Sequence, residues 1–396
     1  MSFDLKRYIR TLSRLVAHPS ISCALPQWDT SNLAVIEQLA EDFASLGFAI
    51  EIIPIAGHPG KFNLIATLGR GAGGLVFAGH SDTVAYDAER WCSDPFTLTQ
   101  REGKLYGLGA TDMKGFFPAV MEAVRGINPA ALQAPIVVLA TADEESSMSG
   151  ARALLDTGHA PGRYVVVGEP TGMVPVNMHK GILMESIRVL GKSGHSSNPA
   201  LGNSALEAMH EVTTELLNYR QELQARFNNP GFAVAVPTLN LGCIHGGDSA
   251  NRICGECELH FDLRSVPDMH NDELRGDIQR RLAPIAERRK IDIVFSTLFE
   301  GVDPFLQPRD SQLIRACERL TGASAEAVGF ATEAPFYRQL DMQAVVMGPG
   351  SIDQAHQPDE FIAIEQLVPA VNVLTSLIQH FCLSPLSVTQ NPTGPA

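Results

Sequence analysis

The sequence predicts an α/β fold interrupted by a smaller α+β domain, on three observations. Short apolar runs alternate with helical patterns through residues 1–182, the order changes to β-α-β-β-α-β over 183–297, and the first style returns over 298–384. Alternating strands and helices indicate a sheet covered by helices. The interrupting order is that of a split βαβ unit, a small domain in its own right. An inserted domain would join the larger one by two connections.

Taken in order, LKRYIRTLSRLVAH and SNLAVIEQLAEDFASLG carry helical apolar spacing, the second entered through Ser31 as N-cap and ended near Gly47. FAIEIIPI, FNLIATLG, GLVFAGH, APIVVLATADE and RYVVVGEP read as strands buried on both faces, because apolar residues fill consecutive positions. Helices are expected to start near Met113 and near Ser149. Within the insertion, MESIRVLGK, TLNLGCIHGG, CELHFDLRSV and IDIVFSTL read as strands. Its helices run from about Asn203 to Arg226 and over NDELRGDIQRRLAPIAERRK. The helix SQLIRACERL, the strand QAVVMGPG and the helix EQLVPAVNVLTSLIQHF then return to the first style. The tail 385–396 is poor in apolar residues and is expected to be disordered or loosely docked.

Composition narrows the function. A net charge of −14 argues against nucleic acid, which would want a basic face to offset phosphates, so it is not an expected partner. No run of about 18 apolar residues is read anywhere in the chain and MSFDLKRYIRTLSRL lacks a signal's apolar stretch, so no membrane span is expected and the cytoplasm is the expected compartment. Seven scattered cysteines suit reduced thiols. Cys254 and Cys257 form a CxxC, read as part of an alternating strand that sends the two thiols to opposite faces; no second CxxC completes a zinc site.

Acidic and histidine residues recur where the apolar runs end. His80 and Asp82 follow LVFAG, Asp112 is expected to open a helix after YGLGAT, and Glu144 and Glu145 follow IVVLATAD; Glu169 follows YVVVG and His356 follows VVMGPGSIDQA. In open α/β sheets that edge binds ligands. A single loop histidine or a pair of adjacent glutamates is ordinary. Gathered at one edge, these groups would repel unless cations neutralised them, and nitrogen plus oxygen donors suit Zn²⁺ or a similar divalent ion. Neither GxSxG nor HExxH occurs, and Gly191-Lys192-Ser193 lacks the P-loop glycine, Ser186 standing in its place.

GHSDTVAYD, GLGATDMKG, TADEESSMSG, VVVGEPT, GKSGHSS and QAHQPDE resemble, in order and across essentially the whole chain, the motifs of the M20 metallopeptidase and deacylase family. The resemblance implies a zinc-dependent exopeptidase-like catalytic domain with an inserted lid or dimerisation domain. It implies two Zn²⁺ per subunit, Co²⁺ substituting, with Asp112 bridging, Glu145 and His356 completing one site, and His80 and Glu169 the other. Glu144 then serves as general base and acid, Asp82 orients His80, and a cis peptide joins Asp112 to Met113. His195 matches a lid histidine that, in dimeric members, donates to the oxyanion in the partner subunit's site, so a homodimer through the lid is expected.

Asn251, Arg264, Gly350 and Ser351 match substrate-contacting positions, and Thr332, Glu333 and Arg338 are further candidates. The implied substrate is a small N-acyl amino acid. WCSDPFTLTQREGKLYGLGATDMKGFF, PTLNLGCIHGGDSANRIC, ATEAPFY and MGPGSIDQAHQPDEF resemble the branch that deacetylates N-acetylornithine for arginine synthesis. Desuccinylation of diaminopimelate, aminoacylase or dipeptidase activity, and metal-dependent binding without catalysis stay open at this point.

Overall fold

The computed structural model describes residues 3–158 and 160–383, so the tail 385–396 lies outside the described residues. In chain order the first elements are α1 Leu5–Val16, α2 Leu33–Ser45, β1 Ala49–Pro54, β2 Phe62–Leu68, β3 Leu75–His80, β4 Thr99–Arg101 and β5 Lys104–Tyr106. There follow α3 Phe116–Val124, β6 Ile136–Thr141, α4 Ser149–Asp156, β7 Tyr164–Pro170, β8 Val176–His179 and β9 Ile182–Leu190. Next come α5 Ala205–Arg226, β10 Thr238–Gly246, β11 Glu256–Arg264, α6 Asn271–Arg289, β12 Asp292–Val302 and β13 Phe305–Leu306. The last are α7 Gln312–Thr321, β14 Glu326–Val328, α8 Ala334–Gln339, β15 Gln343–Gly348, β16 Phe361–Ala363 and α9 Leu367–Ile378.

The chain forms two compact units. Among the described residues, unit 1 holds those up to Asn177, Gln307–Ala325 and those from Phe336 onward; unit 2 holds Met178–Leu306 and Glu326–Pro335.

In unit 1 the sheet runs β1-β2-β6-β3-β7-β15. β3 lies parallel to β6 and β7, and β7 to β15, whereas β2 is antiparallel to both neighbours. Every residue of β3, β6 and β7 is buried. Phe77, Val138 and Val166 face the main core while Val76, Val137 and Val165 are buried on the opposite face. Coverage of both faces explains their unbroken apolar runs. β1 departs from expectation: FAIEIIPI forms an edge strand with Glu51 and Ile52 exposed. An edge strand has one neighbour to satisfy and less cover, and apolar content alone does not reveal it.

The helices follow apolar spacing and caps. In α1, Tyr8, Leu12, Leu15 and Val16 form the buried stripe, and the Asp4 carboxylate accepts from the Arg7 N–H. α2 is capped at Asn32, one residue after the expected Ser31; the Ser31 hydroxyl accepts from Leu33 N–H but also donates to the Gly60 carbonyl, which fixes it outside the helix. At the far end Gly47 takes φ +88°, the left-handed turn that releases the chain. The α9 region, Ile364–Leu383, has a mean hydropathy of 1.3 and is by length and composition apolar enough to cross a membrane; its helix matches the expected EQLVPAVNVLTSLIQHF, but an apolar segment of that length was not expected. Its residues Leu367, Ala370, Val371, Leu374, Leu377 and Ile378 belong to the unit 1 core, which accounts for that composition.

Unit 2 has a four-stranded antiparallel sheet in the order β10-β11-β9-β12, with α5 and α6 packed on one face. α5 is capped at Ser204, whose hydroxyl accepts from Glu207 N–H. Along β11, Cys257, Leu259, Phe261 and Leu263 point into the core and the residues between them point out. Cys254 precedes this strand, so the expectation that it faces away from Cys257 fails: both thiols are buried in the same core and unpaired with each other. The unit begins earlier and ends later than the 183–297 pattern, because Met178 and His179 pair with β13.

Candidate metal centre

Four strands of unit 1 deliver the chemistry. β3 ends in His80, β6 runs into the turn bearing Glu144 and Glu145, β7 carries Glu169 as its second-last residue, and β15 leads to the loop of His356. Parallel strands end at one edge, so residues distant in sequence meet there.

His80 Nε2 lies 3.0 Å from Asp112 Oδ1, and its Nδ1 lies 3.0 Å from the Asp82 carbonyl oxygen. An Nδ1–H donating to that carbonyl leaves Nε2 as the nitrogen available to a cation. On the other side, His356 Nε2 is 3.1 and 3.0 Å from the two Glu145 carboxylate oxygens and 3.6 Å from Asp112 Oδ2. The donor atoms of His80, Asp112 and Glu169 all lie within 4.8 Å of one another, and so do those of Asp112, Glu145 and His356. Asp112 belongs to both groups, one oxygen toward each histidine. Donor atoms of His80, Glu144 and Glu145 also lie within 4.8 Å of one another, which brings the Glu144 carboxylate to the rim of the same cluster. Imidazole nitrogens with carboxylate oxygens, in two groups sharing one carboxylate, fit a pair of divalent cations.

Two supports differ from expectation. The Asp82 carboxylate is 3.8 Å from His80 Nδ1 and instead accepts from the backbone N–H groups of Glu144 (3.3 Å) and Glu145 (3.1 Å). Asp82 thus orients His80 through its carbonyl and fixes the Glu144–Glu145 turn through its side chain. Asp112 does not open a helix; it lies in the turn before α3, joined to Met113 by a cis peptide. The buried Glu360 carboxylate accepts from the N–H groups of Gly109 (2.8 Å), Thr111 (2.7 Å) and Asp112 (3.0 Å). Those N–H groups are therefore committed to Glu360, and the helix starts only at Phe116. Sequence reasoning missed Glu360. It stands within QAHQPDE, yet its partners lie about 250 residues upstream and no spacing rule joins them.

The electrostatics follow from burial and crowding. Burial pushes the His80 pKa down, but the Asp112 hydrogen bond and the charges of Asp82 and Glu144 outweigh it and hold the imidazole well above its usual range. The Glu145 hydrogen bond raises His356 to about 9. Burial raises Asp82 to about 6, and burial together with the Asp112 charge raises Glu360 to about 8. Without cations, protons on the two histidines offset part of the carboxylate charge. Metal uptake at pH 7 is therefore expected to expel protons, with affinity falling about tenfold per pH unit for each proton displaced as pH drops below His356's value near 9. Calorimetry of zinc uptake in buffers of different ionisation enthalpy measures this; equal heats in all buffers would contradict it.

The remaining candidates divide between the units. In unit 1, Gly350 takes φ +97°, and a Cβ there would lie 2.4 Å from Thr111 Oγ1, so only glycine lets this loop approach the Asp112 turn. The Ser351 hydroxyl accepts from Asp353 N–H, and an Arg338 N–H donates to the Met342 carbonyl. A cavity of about 150 Å³, lined by Tyr86, Asp87, Arg90, Trp91, Leu108 and His356 among others, opens beside the cluster; the sequence offers residues 84–87 only as the end of the motif GHSDTVAYD, with no role assigned to them. In unit 2, His195 is exposed, its Nδ1 accepting from the Ser197 hydroxyl at 2.8 Å. The Asn251 side chain accepts from the Ser249 hydroxyl, the Arg264 side chain pairs with Asp262, and the Thr332 hydroxyl meets the buried His179 ring. Glu333 is buried in the same unit.

Residues 76–380 match the model of peptidase family M20/M25/M40. The chain belongs to that family. The acetylornithine deacetylase of Proteus mirabilis (strain HI4320) is 46% identical over 384 residues, spanning 97% of this chain and 99% of that one. Among solved structures, the M20 metallo-carboxypeptidase Sso-CP2 of Sulfolobus solfataricus superposes with a TM-score of 0.75 at 18% identity, covering 95% of this chain and 99% of that one. The Bacillus subtilis YXEP protein, described as a dinuclear metal binding peptidase of the same family, superposes with a TM-score of 0.65 at 15% identity, covering 95% and 98%. This M20 chain is a metal-dependent amide hydrolase with the α/β fold of its family.

Proposed function

We propose that this M20 enzyme hydrolyses N2-acetyl-L-ornithine to L-ornithine and acetate, as a step of arginine biosynthesis in the cytoplasm. What supports the substrate is the 46% identity to the Proteus mirabilis deacetylase over nearly the full length of both chains. What supports the chemistry is the Asp112 carboxylate, shared by two donor groups with Glu144 at their rim.

In this reading His80, Asp112 and Glu169 hold one zinc ion and Asp112, Glu145 and His356 the other, with Co²⁺ able to substitute. Bound there, the cations would acidify a water and polarise the acyl carbonyl. The Glu144 carboxylate takes a proton from the attacking water and passes it to the departing amine nitrogen. Asp82 holds the Glu144 backbone, and its carbonyl keeps the His80 Nδ1 proton in place. The cavity beside His356 offers space for part of the amino acid, bounded by the opposite charges of Asp87 and Arg90. His195 as oxyanion donor, Asn251, Arg264, Gly350 and Ser351 as substrate contacts, and a homodimer formed through unit 2 complete the proposal.

Assay of the purified protein with N-acetylornithine, N-succinyl-diaminopimelate and a dipeptide tests it. Acetylornithine is expected to give the highest kcat/KM. If it is the poorest of the three, the substrate assignment is wrong.

A further inference from the structure

A buried lysine with no part in the reading above stands behind the turn that carries Glu144. Lys61 is 4% exposed, and its Nζ lies 2.7 Å from Asp143 Oδ1, 2.7 Å from Asp29 Oδ1 and 2.9 Å from the Thr30 carbonyl oxygen. Asp143 immediately precedes Glu144, is itself buried and takes φ +57°. Its carboxylate also accepts from the hydroxyls of Ser22 (3.0 Å) and Ser149 (3.1 Å), while its carbonyl accepts from the N–H groups of Ser147 and Met148. Two residues from Lys61, the Asn63 side chain accepts from Ala142 N–H at 3.1 Å and donates to the Gly150 carbonyl at 2.8 Å, closing the base of the same turn. Ser22 N–H in turn donates to the Thr83 carbonyl, and Thr83 N–H to Ser20, which ties this network to the loop of Asp82.

A buried charge is costly unless it is paired, and a buried pair often contributes no more stability than apolar residues of the same volume. The retention of two charges here therefore calls for something other than fold stability. What the pair fixes is the residue next to Glu144, whose left-handed conformation sets the direction in which the turn leaves β6. Asp82 holds the turn through the N–H groups of Glu144 and Glu145; Lys61 holds it through Asp143.

We propose that Lys61 is a positioning residue for the proton-transferring carboxylate, acting through Asp143 to hold Glu144 in its working geometry. The inference rests on the role given to Glu144 above. Displacing a reacting group by about 1 Å can cost on the order of 100-fold in rate, so the effect is large enough to measure.

The test uses the zinc-loaded enzyme with N-acetylornithine. Lys61→Met is expected to keep two cations per chain and nearly the same KM, while kcat per metal-loaded chain falls roughly 10- to 100-fold. Lys61→Arg, which keeps the charge, is expected to recover most of the loss. An unchanged kcat per metal-loaded chain in Lys61→Met, or a loss that only tracks lost metal, overturns the proposal. If Lys61→Met does not yield folded protein, Ser22→Ala removes one neutral bond to Asp143: a lower kcat at full metal occupancy supports the proposal and an unchanged kcat overturns it. Glu144→Gln run alongside separates the two claims, since an active Glu144→Gln defeats the role of Glu144, whereas an inactive one beside a fully active Lys61→Met defeats that of Lys61.

Discussion

Glu144→Gln is expected to lower kcat by about 10²- to 10⁴-fold with both cations still bound. The amide keeps the size and hydrogen-bonding reach of the carboxylate but cannot accept the water's proton. The Glu144 backbone is held by Asp82 whatever its side chain, so the turn and the neighbouring Glu145 stay in place. The two donor groups that share Asp112 do not include Glu144, so each keeps all three members. Initial rates, together with metal content by plasma mass spectrometry, check this. Loss of activity with parallel loss of metal would make Glu144 a ligand rather than a base.

Asp112→Ala has the opposite signature. Its two oxygens face His80 on one side and His356 on the other, so one substitution takes a donor from both groups. Altering even the residues that support ligands costs about 10- to 100-fold in metal affinity; removing a shared ligand is expected to exceed that range for both ions and to leave no measurable turnover. The protein should still fold, because the Glu360 carboxylate holds the turn through backbone N–H groups that alanine retains. A variant that still binds two zinc ions tightly would show that Asp112 does not bridge them.

Much of the architecture was legible because the relevant signals are local. β3, β6 and β7 announce themselves as unbroken apolar runs, and β11 as strict alternation. The β1 edge was not legible, since apolar content does not say how many neighbours a strand has. The start of α3 was misjudged by a few residues because its turn is held by Glu360 from the far end of the chain. His80, Asp112, Glu145, Glu169 and His356 could be singled out because each follows or ends a buried strand, or lies on a loop beyond one. Asp82 stood out for the same reason, but the division of its contacts between carbonyl and carboxylate depends on the path of a turn that no periodicity encodes. Lys61 gave no signal at all: between a glycine and a strand it reads as a surface lysine, and only the meeting of Asp29 and Asp143 makes it a buried one.

Anomalous diffraction at the zinc edge, from crystals grown with zinc, bears on the centre most directly. Two peaks are predicted on either side of the Asp112 carboxylate, one beside His80 and Glu169, the other beside Glu145 and His356. A single peak, or a pair remote from Asp112, would contradict the shared-carboxylate centre and the hydrolytic chemistry built on it.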